Sequence, residues 1–452
     1  MATTSTIPPK KASAIPTAPG ALPVLGHALQ LLRDPLDFVC GLARYGELVR
    51  VRLGNHPVVV VCDPELTRRL LLDDRTFDKV GPIYQRSRDV VGTGLAGCPH
   101  SGHRRQRRLC QPSFHPHRIP EYAPHFTAAA EHRMASWQDG QVIDVSGELM
   151  TMTMRSSVAA MFAAEIPHRV ERLLLADLTT LLNGSFRQII SPTVLNRLPT
   201  RANRRYQLAT ERFGRTLREI IDHRRTDRTG PSDLLASLLG AVAPEDPDGR
   251  PVLTDQEISD QLRTFFVAGT ETTAATLGWA LHLLSRHPRV QSTLQAEADA
   301  VLGGSPPTAA DLPALRTTAN VVTETLRIYP PAWMLTRETT RPVVLGGHAF
   351  PTASTVAWSP YLLHHRADFY PEPERFDPQR WSDRKPDRTT FIPFGGGPRK
   401  CIGDQFALTQ ATLALAALAA RWRFTPVAGP PVKPVAKSTL TPRGLRLRVN
   451  RR

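Results

Sequence analysis

The sequence predicts a mainly α-helical fold with a small β region. Helical periodicity of apolar residues runs through most of the 452-residue chain, whereas patterns typical of strands are few and short. The longest helical run begins at Thr254, covers about 32 residues and ends at His287-Pro288. Glu257 stands three residues after Thr254, which is the spacing of a capping box at a helix start.

The elements before this helix follow from local patterns. Alternating β-branched residues between Glu47 and Cys62 predict a hairpin. Helical periodicity then predicts helices in two segments, and turn-forming residues predict two loops. The helical segments are 63–137 and 145–225, and the loops are 92–102 and 244–251.

The chain after the long helix alternates short elements with turns, because proline and glycine pairs punctuate it. Apolar periodicity predicts two more helices, the second of them very apolar. Short strands and an irregular, proline-rich meander are expected between and after them. The helices are 315–328 and 402–422, the strands are 343–356 and 432–449, and the meander is 371–393.

The first 22 residues are rich in Thr, Pro, Ala and Lys and predict a flexible arm before a single domain at residues 23–452. This arm has no apolar run near the roughly 20 residues that span a bilayer. It also lacks the charged-then-apolar order of a secretory signal. We therefore expect a cytoplasmic protein without a membrane span.

The net charge of +16 and the pI of about 10.3 favour acidic partners through electrostatic steering. Nucleic acid is not expected as a partner, because the sequence has no zinc-finger, recognition-helix or aromatic–basic pattern. An acidic redox protein fits the charge. An arginine-rich composition with a solvated surface explains it equally well.

The five cysteines are scattered and odd in number, which argues against a disulfide framework or a zinc site. They are Cys40, Cys62, Cys98, Cys110 and Cys401.

Cys401 alone has a setting that indicates chemistry. In the segment Phe394-Gly-Gly-Gly-Pro-Arg-Lys-Cys-Ile-Gly403, three glycines permit tight backbone and close approach to a flat ligand. The cysteine then stands at a helix start beside Arg399, where a thiolate is stabilised and can bind iron.

The segment 394–403 resembles the haem-binding signature of the cytochrome P450 family, Phe-x-x-Gly-x-Arg-x-Cys-x-Gly, at each fixed position. The resemblance implies a cytochrome P450 fold, with haem b (iron protoporphyrin IX) between the long central helix and the C-terminal cysteine-bearing helix. It implies that Cys401 ligates the iron through its thiolate. Phe394, Arg399 and Gly403 would then belong to the haem-binding loop.

Glu324 and Arg327, three residues apart on one helix face, are similar to the family's Glu-x-x-Arg motif. The resemblance implies a buried charge pair that supports the cysteine loop. Its third partner is an arginine of the meander, where Phe376-Asp-Pro-Gln-Arg380 matches the family pattern. Arg375 stays open as an alternative.

Ala268-Gly-Thr-Glu-Thr272, midway along the long helix, resembles the family's acid–alcohol motif. Gly269 weakens a helix locally and a threonine hydroxyl can bond to a carbonyl one turn earlier, so the helix is expected to open a groove where O₂ sits over the iron. Ala268 is expected among the residues that bind the haem. The resemblance implies that Glu271 and Thr272 supply the protons for O–O bond cleavage. Threonine packing on a core helix is the structural alternative.

His103 and Arg107 share a helix face and match the family's Trp/His-x-x-x-Arg motif. Together with Arg337 and Arg399 they form the cationic set that the resemblance implies for the haem propionates. Three further arginines of this segment are expected to face solvent or to dock an electron donor. They are Arg104, Arg105 and Arg108.

The resemblance implies a haem-thiolate monooxygenase that inserts one oxygen atom from O₂ into an apolar small molecule. Electrons would come from another protein, because the sequence carries no flavin or iron–sulfur module. The resemblance implies that the donor is a ferredoxin reduced by an NAD(P)H-dependent ferredoxin reductase. A monomer is expected. The intact Glu271–Thr272 pair argues against a peroxide-driven enzyme and against a non-enzymatic haem sensor.

Residues 24–35 and 104–114 are similar to actinobacterial members of the family that oxidise sesquiterpenes of the pentalenene and albaflavenone kind. This similarity favours a terpenoid substrate in secondary metabolism. A macrolide, polyketide or peptide substrate stays open, as does oxidative coupling in place of hydroxylation.

Overall fold

The computed structural model describes residues 14–162, 168–190, 193–226, 233–240 and 253–452. Within these ranges helices predominate and the strands are short, which confirms the predicted fold class. The helices are α1 Ala28–Arg33, α2 Pro35–Gly41, α3 Pro64–Leu72, α4 Gly81–Val91, α5 His100–Cys110, α6 Ile119–Met134, α7 Val145–Phe162, α8 His168–Ile190, α9 Thr193–Arg197, α10 Arg201–Thr226, α11 Leu234–Leu239, α12 Asp255–Arg286, α13 Pro288–Leu302, α14 Arg316–Ile328, α15 Pro360–His364 and α16 Asp404–Arg421.

The strands follow the predicted positions, with additional short strands that the sequence did not indicate. They are β1 Leu48–Leu53, β2 His56–Val61, β3 Phe77–Asp78, β4 Val142–Asp144, β5 Leu335–Thr339, β6 Val343–Leu345, β7 His348–Phe350, β8 Thr355–Trp358, β9 Trp422–Pro426, β10 Lys433–Ala436, β11 Leu440–Arg443 and β12 Arg446–Arg451. The predicted loop 244–251 lies outside the described residues.

The chain divides into two compact units. Unit 1 comprises the described residues of Met1–Gly81, Trp333–Glu374 and Pro386–Lys400. Unit 2 comprises the described residues of Pro82–Ala332, Arg375–Lys385 and Cys401–Arg452.

Unit 1 contains a five-stranded sheet with the order β1-β2-β8-β5-β3. The first two strands form the predicted hairpin, in which Leu48 lies opposite Val61. β2 pairs in parallel with β8, and the other neighbours are antiparallel. A separate hairpin of β6 and β7 turns at Gly346 and Gly347, both with positive φ, as two-residue hairpin turns require.

Residues 14–22, the described part of the predicted flexible arm, are anchored to β1. The Ala18 N–H donates to the Arg50 carbonyl at 2.9 Å, and the Arg50 N–H donates to Pro16 at 2.7 Å. The buried His27 ring accepts from the Arg52 N–H and donates to the Ala18 carbonyl, at 2.9 and 2.8 Å. This part of the arm is therefore fixed by backbone pairing, and residues 1–13 lie outside the described residues.

The helix α12 organises unit 2, packing against α7, α10, α14 and α16. Its capping box is confirmed: the Glu257 N–H donates to the Thr254 hydroxyl, and the Thr254 N–H donates to the Glu257 carboxylate. Ile258, Leu262 and Phe266 are fully buried at four-residue spacing, so this face of the helix lies in the core. The 32 residues form one continuous helix.

The helix α16, which follows Cys401, is buried almost all round. Such a helix belongs in the centre of a large core. Within the described ranges, no helix combines the length and apolarity needed to cross a membrane.

Candidate active site

The loop that precedes Cys401 belongs to unit 1, and its backbone conformation depends on its glycines. Gly395 and Gly397 have φ of 69° and 64°, a left-handed backbone that glycine adopts without strain. A Cβ on Gly397 would lie 2.1 Å from the carbonyl oxygen of Leu71 at the end of α3. The positive φ angles expected for this run thus occur at two of its three glycines, and Gly396 is extended.

Arg399 is held in unit 1 by two carboxylates that the sequence did not indicate. Its Nε donates to Asp74 at 2.9 Å and its Nη2 to Asp78 at 2.8 Å. The Arg399 side chain is 1% exposed and those of Asp74 and Asp78 are 11% and 4% exposed. A propionate at Arg399 would therefore share the guanidinium with both aspartates.

Two other predicted residues also lie in unit 1. Arg337 is buried on β5, where its Nη1 donates to the Thr336 carbonyl at 2.7 Å. Phe394 is half-buried at the start of the glycine run.

Cys401 lies in unit 2 and is exposed, whereas Cys62, Cys98 and Cys110 are buried. Burial raises the pKa of both Cys62 and Cys110 to about 12, so these thiols stay protonated at neutral pH. Cys401 precedes α16, whose N-cap residue is Gly403. A helix N-terminus favours a thiolate, and Cys401 is thus the cysteine best suited to bind a metal.

The predicted cations His103 and Arg107 lie one turn apart on α5, His103 buried and Arg107 half-buried. Burial lowers the pKa of Arg107, while electrostatic interactions with Cys401 and Asp404 act in the opposite direction. Arg107 therefore lies within electrostatic range of Cys401, and both residues belong to unit 2.

The outer face of α5 is basic. Arg104 and Arg108 are exposed, and Arg105 forms an ion pair with Glu257, the capping-box residue of α12. The prediction that these three arginines face outward is confirmed.

The Glu324–Arg327 pair is completely buried in unit 2, with two parallel hydrogen bonds of 2.9 Å. The Glu324 carboxylate also accepts from the Asp377 N–H and from the Trp381 indole, at 3.1 and 2.8 Å. Arg380 Nε lies 3.5 Å from the same carboxylate, which confirms it as the third charged partner.

The alternative, Arg375, contributes its carbonyl, which accepts from Arg327 at 3.2 Å. Trp381 was missed by the sequence reasoning, although it directly follows the matched arginine.

The acid–alcohol motif lies in the middle of α12. The Thr272 hydroxyl donates to the Ala268 carbonyl at 2.6 Å, as expected for a threonine in a helix. Glu271 accepts a hydrogen bond of 3.0 Å from the hydroxyl of Thr439. Burial raises the pKa of Glu271, and the Thr439 hydrogen bond and the Lys437 charge only partly offset this effect.

The helix does not break at Gly269, where a Cβ would make only an ordinary contact of 3.7 Å with the Ser157 hydroxyl. The glycine is therefore accommodated within a continuous helix.

Comparison with known proteins places this chain in a family. Residues 16–448 match the family described as Cytochrome P450. The chain is 44% identical to the pentalenene oxygenase of Streptomyces avermitilis, over 96% of this chain and 97% of the relative. It is 42% identical to the cyclooctatin synthase of Streptomyces melanosporofaciens, over 95% and 94% of the two chains.

A third relative is the cyclooctat-9-en-7-ol 5-monooxygenase of Streptomyces melanosporofaciens, 40% identical over 94% of this chain and 93% of the relative. The crystal structure of a cytochrome P450DA haem domain matches the fold with a TM-score of 0.85 at 27% identity, covering 97% and 98% of the two chains.

The residues around Cys401 suit the haem that this family carries. Cys401 offers an accessible sulfur at a helix start, and Arg107 brings positive charge near it. A Cβ on Gly403 would make only an ordinary contact of 3.7 Å with Phe114, so packing within the protein does not demand a glycine here. The chain belongs to the cytochrome P450 family and is a haem-thiolate monooxygenase.

Proposed function

We propose that Cys401 would hold the haem iron through its sulfur and that His103, Arg107, Arg337 and Arg399 would bind the propionates. The exposure of Cys401 supports the first assignment, and the second is supported by the burial of His103, Arg337 and Arg399 and the partial burial of Arg107. When bound, the haem supplies the activation of O₂, and a thiolate ligand favours O–O cleavage. Charge-assisted hydrogen bonds from the cations would fix its orientation.

Glu271 and Thr272 are proposed as the proton-delivering pair. Burial keeps the pKa of Glu271 above its ordinary value, so its carboxyl can carry a proton closer to neutral pH. The Thr272 hydroxyl, held by the Ala268 carbonyl, stands next to it on the same helix. Ala268 thus contributes its backbone carbonyl oxygen, which accepts the hydrogen bond from the Thr272 hydroxyl.

The substrate is proposed to be a terpenoid, oxidised by insertion of one oxygen atom. The observation that carries this proposal is the sequence identity of 40–44% to pentalenene oxygenase, cyclooctatin synthase and cyclooctat-9-en-7-ol 5-monooxygenase, in each case over more than nine tenths of both chains. Apolar side chains of α12 such as Phe265 suit a hydrocarbon ligand.

Spectral titration of the purified holoenzyme tests the substrate class. Pentalenene and cyclooctat-9-en-7-ol are expected to give saturable shifts of the haem spectrum, and turnover is expected to add one oxygen atom to the ligand that binds. A macrolide and a cyclic peptide serve as comparison ligands. Binding of those two alone, or a coupled product without added oxygen, would overturn the proposal.

Electrons are proposed to come from a ferredoxin that is reduced by an NAD(P)H-dependent reductase. The exposed Arg104 and Arg108 on α5 and the net charge of +16 suit an acidic donor. The rate of reduction is expected to fall with ionic strength and to fall further in Arg104→Glu. A rate independent of salt and of this substitution would contradict electrostatic docking at α5.

A further inference from the structure

The C-terminal hairpin of β10 and β11 is fixed against α12 close to Glu271. The Leu440 N–H donates to the Pro331 carbonyl at 2.9 Å, and the Leu440 carbonyl accepts from the Trp279 indole at 3.1 Å. Trp279 in turn stacks on Tyr329, with 3.8 Å between ring centroids. These bonds hold the first residue of β11 in a defined place on the helix.

Glu271 and Trp279 are eight residues apart on α12, so both lie on the helix face that the hairpin covers. On the same face, a Cβ on Gly278 would approach Pro442 of β11 to 3.2 Å. The turn between the strands, residues 437–439, therefore lies beside Glu271.

Thr439 closes this turn and is 7% exposed. Its hydroxyl donates to Glu271 Oε2 at 3.0 Å, which orients the carboxyl group toward the hairpin. Lys437, at the other end of the turn, is exposed and adds a positive charge on the same side. The Thr272 hydroxyl is occupied elsewhere, at Ala268.

We infer that Thr439 is a positioning residue for the proton-delivering carboxyl. Its hydroxyl holds Glu271 at the β10–β11 turn, on the side of the exposed Lys437. This inference rests on the proposed role of Glu271. A partly buried carboxyl that loses its hydrogen bond keeps its desolvation cost with less compensation, and its geometry is no longer fixed. Proton delivery then becomes slower relative to release of hydrogen peroxide.

The test compares Thr439→Val, which removes the hydroxyl and keeps the shape, with Thr439→Ser, which restores it. In the resting holoenzyme at mildly acid pH, which favours the protonated carboxyl, the infrared band of protonated Glu271 is identified by subtracting Glu271→Gln. We expect this band to move to higher wavenumber in Thr439→Val and to return in Thr439→Ser. This measurement does not depend on turnover.

Turnover supplies the second readout. Thr439→Val is expected to form roughly fivefold less product per NAD(P)H, a factor equivalent to about 1 kcal/mol, with a larger solvent isotope effect and more hydrogen peroxide. Thr439→Ser is expected to recover the wild-type ratio.

The outcomes separate the two proposals. If Glu271→Gln uncouples the enzyme but Thr439→Val changes neither the infrared band nor the coupling, the positioning role is overturned and the role of Glu271 stands. A band shift without a change in coupling also overturns it. If Glu271→Gln itself leaves coupling unchanged, both proposals fall.

Discussion

Arg327 donates two parallel hydrogen bonds of 2.9 Å to Glu324, and neither side chain has any exposed surface. The carboxylate accepts two further bonds, from Trp381 and from the Asp377 backbone, and has Arg380 within 3.5 Å. A buried ion pair of this kind contributes little net stability when complete, because desolvation offsets the attraction. Its loss is costly because one charge stays buried without a partner.

Arg327→Lys is therefore expected to destabilise the protein strongly. Lysine keeps the positive charge but cannot reproduce the planar, two-bond geometry of the guanidinium. The loss of one partner from such a pair costs about 3–5 kcal/mol, which sets the upper limit for this substitution. The urea midpoint of unfolding and the haem content of the purified protein measure this loss. The control is Arg68→Lys in α3, which alters an exposed pair with Glu65 at the same three-residue spacing. Equal effects of the two substitutions would contradict the account.

The pairs of Arg399 with Asp74 and Asp78 give a second prediction. Asp78→Asn removes a carboxylate from a guanidinium whose side chain is 1% exposed, so we expect a lower urea midpoint and faster loss of the thiolate-type spectrum. Asp368→Asn serves as control, since it alters an exposed ion pair with Arg366 in the same unit. A wild-type rate of spectral decay in Asp78→Asn would show that this ion pair does not support the cysteine loop.

Glu271 gives a pH-dependent prediction with a definite sign. Burial raises its pKa in the folded state, so the folded protein binds this proton more tightly and loses stability as pH rises above the ordinary value of 4.5. Glu271→Gln is therefore expected to be more stable than the wild type at neutral pH, with a difference that shrinks toward pH 4.5. Urea unfolding at several pH values measures this.

Glu148 provides the comparison of opposite sign. Burial acts to raise its pKa, but hydrogen bonds from Arg133 and Trp137 outweigh burial and the pKa is lowered. Its contribution to stability is present at neutral pH and is lost as pH falls below 4.5. Glu148→Gln should therefore be less stable than the wild type at neutral pH. If both substitutions changed the free energy of unfolding in the same direction at neutral pH, the opposite pKa shifts assigned to Glu271 and Glu148 would be refuted.

Thr272→Ala tests the alcohol of the proton-delivering pair. The variant should retain haem and the spectrum of a thiolate ligand, while product per NAD(P)H falls at least about tenfold and hydrogen peroxide rises. Thr276→Ala, one turn later, removes a hydroxyl that bonds to the Thr272 carbonyl in the same way. It should leave coupling unchanged. Unchanged coupling in Thr272→Ala would remove the proposed role.

The sequence predicted those features that depend on short-range spacing. The capping box of Thr254 and Glu257, the pairing of Glu324 with Arg327 and the hydrogen bond from Thr272 to Ala268 all join residues three or four positions apart. Such contacts follow from helical geometry alone. The hairpin of β1 and β2 was predictable because its alternation is local.

The contacts that the sequence did not indicate are long-range. Arg399 meets Asp74 and Asp78 more than 300 positions away, and Thr439 reaches Glu271 across 168 positions. No periodicity marks such partners, since they depend on how the elements pack. The anchored segment 14–22 was unpredictable for the same reason, because its Pro and Ala composition is typical of a flexible arm while its order comes from pairing with β1.

The ligand role of Cys401 is the central claim, and the absorption spectrum of the reduced protein with CO tests it most directly. We predict the band typical of thiolate-ligated haem in the wild type, its loss in Cys401→Ser, and its retention in Cys98→Ser, which alters a buried cysteine. Absence of that band from the wild type, or its persistence in Cys401→Ser, would contradict the account.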